Sequence, residues 1–273
     1  MKNRLNTRYQ PMIATLTLLL AASLPSARAD EPKTGWNREV LFGVGAAPEY
    51  AGSSTERVHP LLGASFSYVS KDYGVAGLGV QGLYWTFLNH DDYHFGIAFS
   101  GNPGRIDHRE NGILGARPGS DRLAGMGDVA GTGMIDAYGD VQLGWVSLGL
   151  RANRAVSSYK GSALEFTLSA PYQIQAGTTL VGSVNVDWID DKTAQAFFGV
   201  TNDQAAHSRF AAYTAKAGIA QTSVGVVIDQ ELTKNWKLMG VLKVAQLQGD
   251  AGRSPLVQRK TQSSAQLGMS YSF

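Results

Sequence analysis

The sequence predicts an all-β protein, a transmembrane antiparallel β-barrel of about 12 strands, with roughly 10 to 14 compatible. Three observations predict it. Side chains alternate apolar and polar in segment after segment, the chain opens on an export signal, and it ends on an aromatic strand. Alternate side chains of a strand point to opposite faces, so the alternation means strands with one apolar and one polar face.

Residues 1–29 read as a cleaved signal peptide. Lys2, Arg4 and Arg8 give a basic start, Met12 to Leu24 an apolar run, and Ala27-Arg28-Ala29 a cleavage site before Asp30. The apolar run is too short for the roughly 20 residues of a membrane-spanning helix. Residues 30–273 are then expected to form a single outer-membrane barrel domain. Cleavage removes Lys2, Arg4, Arg8 and Arg28 but no acid, so the precursor's formal charge of +2 becomes slightly negative. That balance gives no ground for nucleic-acid binding. With Cys 0, disulfides and thiol chemistry are excluded. Glycine, 32 of 273 residues, is spread along the chain rather than collected in linkers, which suits strands that bend around a barrel.

Strands are expected at 36–46, 59–69, 73–86, 92–101, 132–144, 146–156, 162–171, 178–189, 217–231, 236–247 and 262–273. Within them Leu62, Ala64, Phe66 and Tyr68 alternate with Gly63, Ser65 and Ser67, and Val184, Val186 and Trp188 with Ser183, Asn185 and Asp187. The apolar phase slips from odd (Val141, Leu143, Trp145) to even (Val146, Leu148, Leu150), which marks a turn. Ser70-Lys71-Asp72 and Thr233-Lys234-Asn235 read as tight turns. Single-chain bacterial barrels have even strand numbers, so either Phe210 to Lys216 is a further strand or one long segment is split. The polar face carries Gly, Ser, Asn and single charges such as Glu165 and Asp187, as a lumen would, leaving the apolar face to lipid. Tyr68, Tyr93, Trp188, Trp236 and Tyr271 near strand ends fit aromatic girdles. Twelve strands give a backbone radius of roughly 12 Å and a narrow lumen.

In the last strand Ala265, Leu267, Met269, Tyr271 and Phe273 share one face. It resembles the closing strand of bacterial outer-membrane barrels, whose final Phe belongs to the signal for the barrel assembly machinery. Counting back from a periplasmic C-terminus puts 248–261 outside. The same count places 102–131 and 190–212 on the periplasmic side or in the lumen.

No constellation compels catalysis. His90-Asp91-Asp92-Tyr93-His94 offers metal-binding or hydrolase chemistry, but its spacing matches no closed ligand set and Asn89 to Asp92 reads as a polar turn. Asp187, Asp190 and Asp191 could form a carboxylate cluster for Ca²⁺, yet partners at fixed offsets are missing, so a solvated strand end is the better reading. Inward-facing Arg151, Glu165, Asp187 and Lys243 either line an ion path or pair to close the lumen, and the narrow bore favours pairing. The polar stretch with Arg105, Asp107, His108, Arg109, Glu110, Arg117, Asp121 and Arg122 is either a partner-binding surface or a solvated loop. No Ser/His/Asp elbow, P-loop or dinucleotide fingerprint is present. The protein is expected to be no enzyme and to need neither cofactor nor metal.

Gly43-Val-Gly45-Ala-Ala-Pro48-Glu-Tyr50-Ala-Gly52-Ser53, followed by Arg57 and Pro60, resembles the opening of the MipA/OmpV family. Further blocks match in the family's order: Leu123-Ala-Gly-Met-Gly-Asp128, Ala196 to Ser208 with Gly199 and Val200, then Tyr213 and Ala217-Gly218, Ser254-Pro255-Leu-Val257, and Tyr271-Ser-Phe273. The resemblance implies an outer-membrane barrel in contact with lipid, with no catalytic residues to carry over. It further implies a scaffold joining a lytic transglycosylase to a penicillin-binding murein synthase, or else a small-solute channel or an adhesion or osmotic-response porin-like role. Under the scaffold reading Arg105, Asp107, Arg109, Glu110, Arg117, Asp121 and Arg122 are the expected partner-binding residues. Pro48, Tyr50, Gly52, Gly199, Val200, Ser208 and Pro255 are expected in turns and packing. Ser208 is followed by Arg209 where the family often has Gly, so a bend there is expected to be built differently.

Overall fold

The structure, a computed structural model, describes residues 34–110 and 117–273, so the expected signal peptide lies outside the described residues. Among these residues twelve antiparallel strands form a closed barrel in chain order. They are β1 (Gly35–Pro48), β2 (Glu56–Ser70), β3 (Gly74–Gly79), β4 (Gly82–Asn89), β5 (Tyr93–Asn102), β6 (Thr132–Leu143), β7 (Val146–Ala155), β8 (Ser162–Gln175), β9 (Thr178–Ile189), β10 (Gly218–Glu231), β11 (Trp236–Leu247) and β12 (Thr261–Ser272). Closure comes from β1 pairing with β12, from Glu39 opposite Ser272 to Ala46 opposite Ala265. No sheet edge remains to face hydrocarbon.

The strand number is as expected, and of the two ways to reach it the split of one long segment is the one found. Residues 73–86, expected as one strand, are β3 and β4, joined across Val80-Gln81 with Gly79 opposite Gly82 and Gly82 at φ +87°. The outward residues slip from even Leu78 to odd Leu83 and Trp85, the same signal read correctly at 145/146. Phe210 to Lys216 makes no strand, only an isolated bridge between Tyr213 and Val200. A false strand there reverses every earlier strand, which is why the count sent 102–131 and 190–212 to the periplasmic end. In the barrel both termini lie at one end with the turns 71–73, 90–92, 144–145, 176–177 and 232–235. The connections 49–55, 103–131, 156–161, 190–217 and 248–260 all lie at the other end. Short turns face the periplasm and long loops the exterior in this class, so both polar segments belong to the outer end.

Apolar side chains such as Phe42, Leu62, Ile97, Phe166, Leu242 and Leu267 are exposed on the outside, toward lipid. Trp36, Tyr68, Trp236, Tyr271 and Phe273 form an aromatic band at the terminal end, with Trp36 5.3 Å from Tyr68 and Tyr271 4.9 Å from both Trp236 and Phe273. Trp188 lies at the opposite end of β9.

The lumen has two kinds of wall. On β1, β2, β10 and β11 Leu61 and Met239 pack with Leu41, Val227 and Val241. The β4–β9 side is polar and charged. Tyr138 lies opposite Gly96, where a Cβ would come within 2.5 Å of its ring, so the missing side chain is what lets the ring lie flat on the wall. The Tyr138 hydroxyl is 2.8 Å from Thr86 Oγ1. Beside it the Arg151 guanidinium stands 3.3 Å from Asp136 Oδ1, and Ser100 Oγ donates to Asp136 Oδ2 at 2.7 Å. His94 Nδ1 is 3.1 Å from Asp140 Oδ2. Pairing inside the lumen therefore occurs: Arg151 faces the expected Glu165 across β7 and β8 and also pairs with Asp136, a residue the sequence reading does not single out.

Removing one member of a buried ion pair leaves an uncompensated charge. Arg151→Met, which strands both Asp136 and the facing Glu165, is expected to lower the unfolding free energy by about 3 kcal/mol or more. Asp136→Asn is expected to lose less, because Glu165 still faces the guanidinium across β7 and β8. Urea titrations of refolded barrel in vesicles measure both, and equal losses would contradict a shared cation.

Candidate functional site

Among the described residues the long outer loops fold over the mouth as a plug. Its helical pieces are α1 (Asp191–Phe198), α2 (Asn202–His207), α3 (Gly249–Arg253) and a 3-10 turn at Asp121–Leu123. Asp190 starts α1 by accepting the Thr193 N–H at 2.8 Å, and Thr201 and Gln204 form a capping box on α2. Tyr50, Leu123, Met126, Val200, Phe210 and Leu256 make a core drawn entirely from loops, four of them. A second cluster sets Ala194, Phe197, Phe198 and Ala251 against the strand ends at Ile189, Ala220 and Leu247, seating the plug on β9 to β11.

Directed bonds tie loop to loop. Arg105 Nη1 donates to the Phe197 carbonyl at 2.6 Å and Ser254 Oγ to the Phe198 carbonyl at 2.6 Å, so the C-terminal carbonyls of α1 are satisfied from two other loops. Tyr50 donates its hydroxyl proton to the Leu256 carbonyl at 3.0 Å, and Gln204 Nε2 donates to the Met126 carbonyl at 2.7 Å. Gln262 clamps the first loop, its Oε1 accepting from Gly52 N at 3.0 Å and its Nε2 donating to the Ser53 carbonyl at 3.1 Å.

The residues expected to bind a partner are here, at the outer end, and many are occupied by the plug itself. Arg105 is 2% exposed, and burial pulls its pKa down to about 10, leaving it charged at neutral pH. It is a strut of the plug rather than a surface. Partial burial would raise the Asp107 carboxyl, but hydrogen bonds from His108 and from the Gly127 and Gly125 amides outweigh it and hold it below the ordinary value. Arg109 Nε stands 3.4 Å from Glu49, and its amide donates to Asp121 Oδ1 at 2.8 Å. The Glu110 carboxylate accepts the Arg117 amide at 2.9 Å, and the Arg117 guanidinium lies 3.7 Å from Asp128. Arg122 sits in the 3-10 turn beside Asp121. Asp107, His108 and Asp128 bring ligand-type atoms within 4.8 Å of one another, but Asp107 and Asp128 already accept backbone amides, so the grouping reads as loop architecture.

The motif residues concentrate in the same place. Gly43 and Gly45 face inward on β1, where a Cβ on Gly43 would come within 2.7 Å of the Gly268 backbone. Pro48 ends β1, Tyr50 and Ser53 are buried in the plug, and Gly52 has φ +97°, where an added Cβ would come within 2.6 Å of Val257. Pro60 lies in β2 opposite Val44. Gly199 caps α1, Val200 bridges to Tyr213, and Ser208 caps α2 and accepts the Phe210 amide at 3.3 Å. Pro255 adjoins the buried Leu256. Among the described residues the non-glycine left-handed positions are Ser158 and Lys160, so Arg209 needs no glycine.

The other constellations separate. His90 is in a turn at the terminal end, stacked on Tyr93 at 4.8 Å, whereas His94 points into the lumen. Asp190 caps α1, Asp191 accepts the Ala217 amide at 2.6 Å, and Asp187 faces the lumen. Sequence reasoning missed Asp136, Tyr138 and Asp140, although their alternation with the outward Ile135, Ala137 and Gly139 marks them as lumenal.

Beneath the plug lies a cavity of 160 Å³, with Tyr159, Phe197, Phe198, Ile189 and Leu247 on one side and Asn153, Glu165, Asp187, Gln221 and Lys243 on the other. Burial raises the Tyr159 hydroxyl to about 12.

A closed twelve-stranded barrel with lipid-facing apolar residues, a polar lumen and a loop-filled mouth defines an outer-membrane β-barrel protein. The chain belongs to the family of the MltA-interacting protein MipA, whose model matches residues 40–273. A search of curated proteins returns no match. Among solved structures it is similar in fold to an outer-membrane channel from Pseudomonas putida F1, at 12% identity over 92% of this chain and 100% of that one, TM-score 0.49. It is also similar to the NanC porin, at 10% identity over 86% and 98%, TM-score 0.44. A third is OmpT of Vibrio cholerae, at 7% identity over 89% and 99%, TM-score 0.40.

Gly125 has φ +84°, and a Cβ there would strike the His207 carbonyl. Gly125→Ala is expected to undock α2 from the 103–131 loop, measured as faster proteolysis of 190–217 on intact cells with barrel migration on gels unchanged.

The raised Tyr159 predicts an alkaline effect with a definite sign. The unfolded tyrosine ionises near 10 and the folded one near 12, so between them the unfolded state binds fewer protons and stability falls as pH rises. Tyr159→Phe is expected to flatten that fall in thermal melts taken across the window.

Proposed function

We propose that this protein is a non-catalytic outer-membrane interaction protein that holds peptidoglycan enzymes at the periplasmic face. Its partners are a lytic transglycosylase of the MltA kind and, through it, a penicillin-binding murein synthase. The observation that carries the reading is the plug: loops with a core of their own pack over the mouth, which favours the surfaces over a solute path as the working part. Family membership supports the kind of partner.

The docking surface is the terminal end, where periplasmic enzymes have access, and not the 102–131 segment. Its exposed groups include Lys71, Asp72, His90, Asp91, Asp92, Trp145 and Lys234. Charge reversal at a contact changes affinity strongly because like charges meet across the interface. Lys71→Glu with Lys234→Glu is expected to cut capture of the purified transglycosylase by about tenfold or more. Arg109→Glu with Arg122→Glu, at the outer end, is expected to leave capture unchanged. The opposite pattern would sink the reading.

A narrow small-solute channel is the second reading, favoured by the charged lumen under the plug. Planar-bilayer recordings of the intact barrel are expected to show no discrete conductance steps, and steps would favour the channel.

A further inference from the structure

On β7 the lipid-facing row runs Leu148, Leu150, Ala152 and then Arg154, which is exposed and stands opposite the outward Ile135 on β6. An arginine on the lipid face is strongly destabilising at mid-bilayer and costs little at the interface, which sets Arg154 at headgroup depth. One row toward the terminal end, Ala152, Leu164 and Trp188 stand side by side on β7, β8 and β9, and Trp188 faces the outward Ile219 on β10. An aromatic at the interface thus marks the same depth.

Two more cations gather at this point of the rim, around Ser162, the residue opposite Arg154. Lys160 lies two residues before Ser162, in a turn held by its own amide donating to the Ser157 carbonyl at 3.1 Å and by the Ala155 amide donating to the Gly161 carbonyl at 2.9 Å. Thr193 Oγ1 donates to the Ser162 carbonyl at 3.2 Å, which brings the preceding Lys192 beside it. Arg154, Lys160 and Lys192 are all exposed, and among the described residues none of them makes an ion pair. The neighbouring acids are turned to backbone: Asp190 Oδ1 accepts the Thr193 amide and Asp191 Oδ1 the Ala217 amide.

We propose that Arg154, Lys160 and Lys192 bind the phosphate-bearing headgroup of an outer-leaflet lipid. The guanidinium fork and the two ammonium groups donate to phosphate oxygens, and the acyl chains lie along the exposed Leu148, Leu150 and Phe166 beneath them. A lipid fits better than a soluble anion because Arg154 belongs to the same row as this apolar wall. A ligand reaching Arg154 from the bilayer keeps its phosphate and its chains in contact at once. The inference is independent of which enzymes, if any, dock at the terminal end.

The test is native mass spectrometry of the full barrel in neutral detergent, titrated with diphosphoryl lipid A and with an uncharged glycolipid of matched chains. Saturable retention of the lipid A is expected, with the uncharged lipid weaker by about tenfold or more, since each basic side chain near a charged headgroup adds to the attraction. A triple variant, Arg154→Gln with Lys160→Gln and Lys192→Gln, is expected to lower lipid A retention by about tenfold or more. A charge-matched control on other loops, Arg209→Gln with Arg259→Gln and Lys260→Gln, is expected to leave it unchanged. All six side chains are exposed, and heat-modifiable gel migration checks that both variants fold. Absence of saturable retention, equal retention of the uncharged lipid, or equal loss in the two triple variants would each overturn the proposal. Displacement of lipid A by an equimolar amount of inorganic pyrophosphate would overturn it too, by assigning the cluster to a free anion.

Discussion

The pairing of β1 with β12 is the constraint on which the rest of the molecule depends. Inside a bilayer each unsatisfied backbone group costs several kcal/mol, so a sheet survives there only without an edge. Closing an antiparallel sheet in chain order requires an even number of strands, which brings both termini to one end and sends every long connection to the other. The loops could then meet and share a core, as five of them at the same rim do. Closure thus determines where this chain can place its polar segments.

Alternation within a closed strand ring has a second consequence. Each lipid-facing residue forces its neighbour into the bore. Charges placed there must find partners across the wall, and Arg151 with Asp136 and His94 with Asp140 do so. The glycines opposite Tyr84 and Tyr138 let rings lie along the wall instead of across it. Glu165 and Asp187 follow the same economy, with Arg151 facing Glu165 from β7 and Gln221 donating to Asp187 beside Lys243.

The barrel was legible in the sequence because period two is a property of neighbouring residues. Ten strands were recognised from alternation, and the turn at 145/146 from its phase slip. The hairpin at Val80-Gln81 was missed though it carries the same slip, since Gly77 and Gly79 break the apolar pattern just before it. Phe210 to Lys216 enters only as one way to make the strand number even, and it makes no strand because Phe210 is held by the loop core and Tyr213 bonds the Asp250 carbonyl. The plug itself was not legible: its contacts join Tyr50 to Leu256 and Arg105 to Phe197, separations over which no local periodicity operates.

This separation explains where the family's motif residues fall. A lipid-facing strand position accepts any apolar side chain, so barrel positions leave a loose pattern. A loop core of six side chains from four connections tolerates much less, and Tyr50, Val200 and Gly52 lie in it or against it. Helix α1 joins this plug to the lumen. Its C-terminal carbonyls are held by Arg105 and Ser254 from the plug, while Phe197 and Phe198 also line the cavity below. A group in that cavity would therefore lie against α1 as well as against Tyr50 and Tyr159 of other loops, so the outer mouth and the charged lumen meet at this helix.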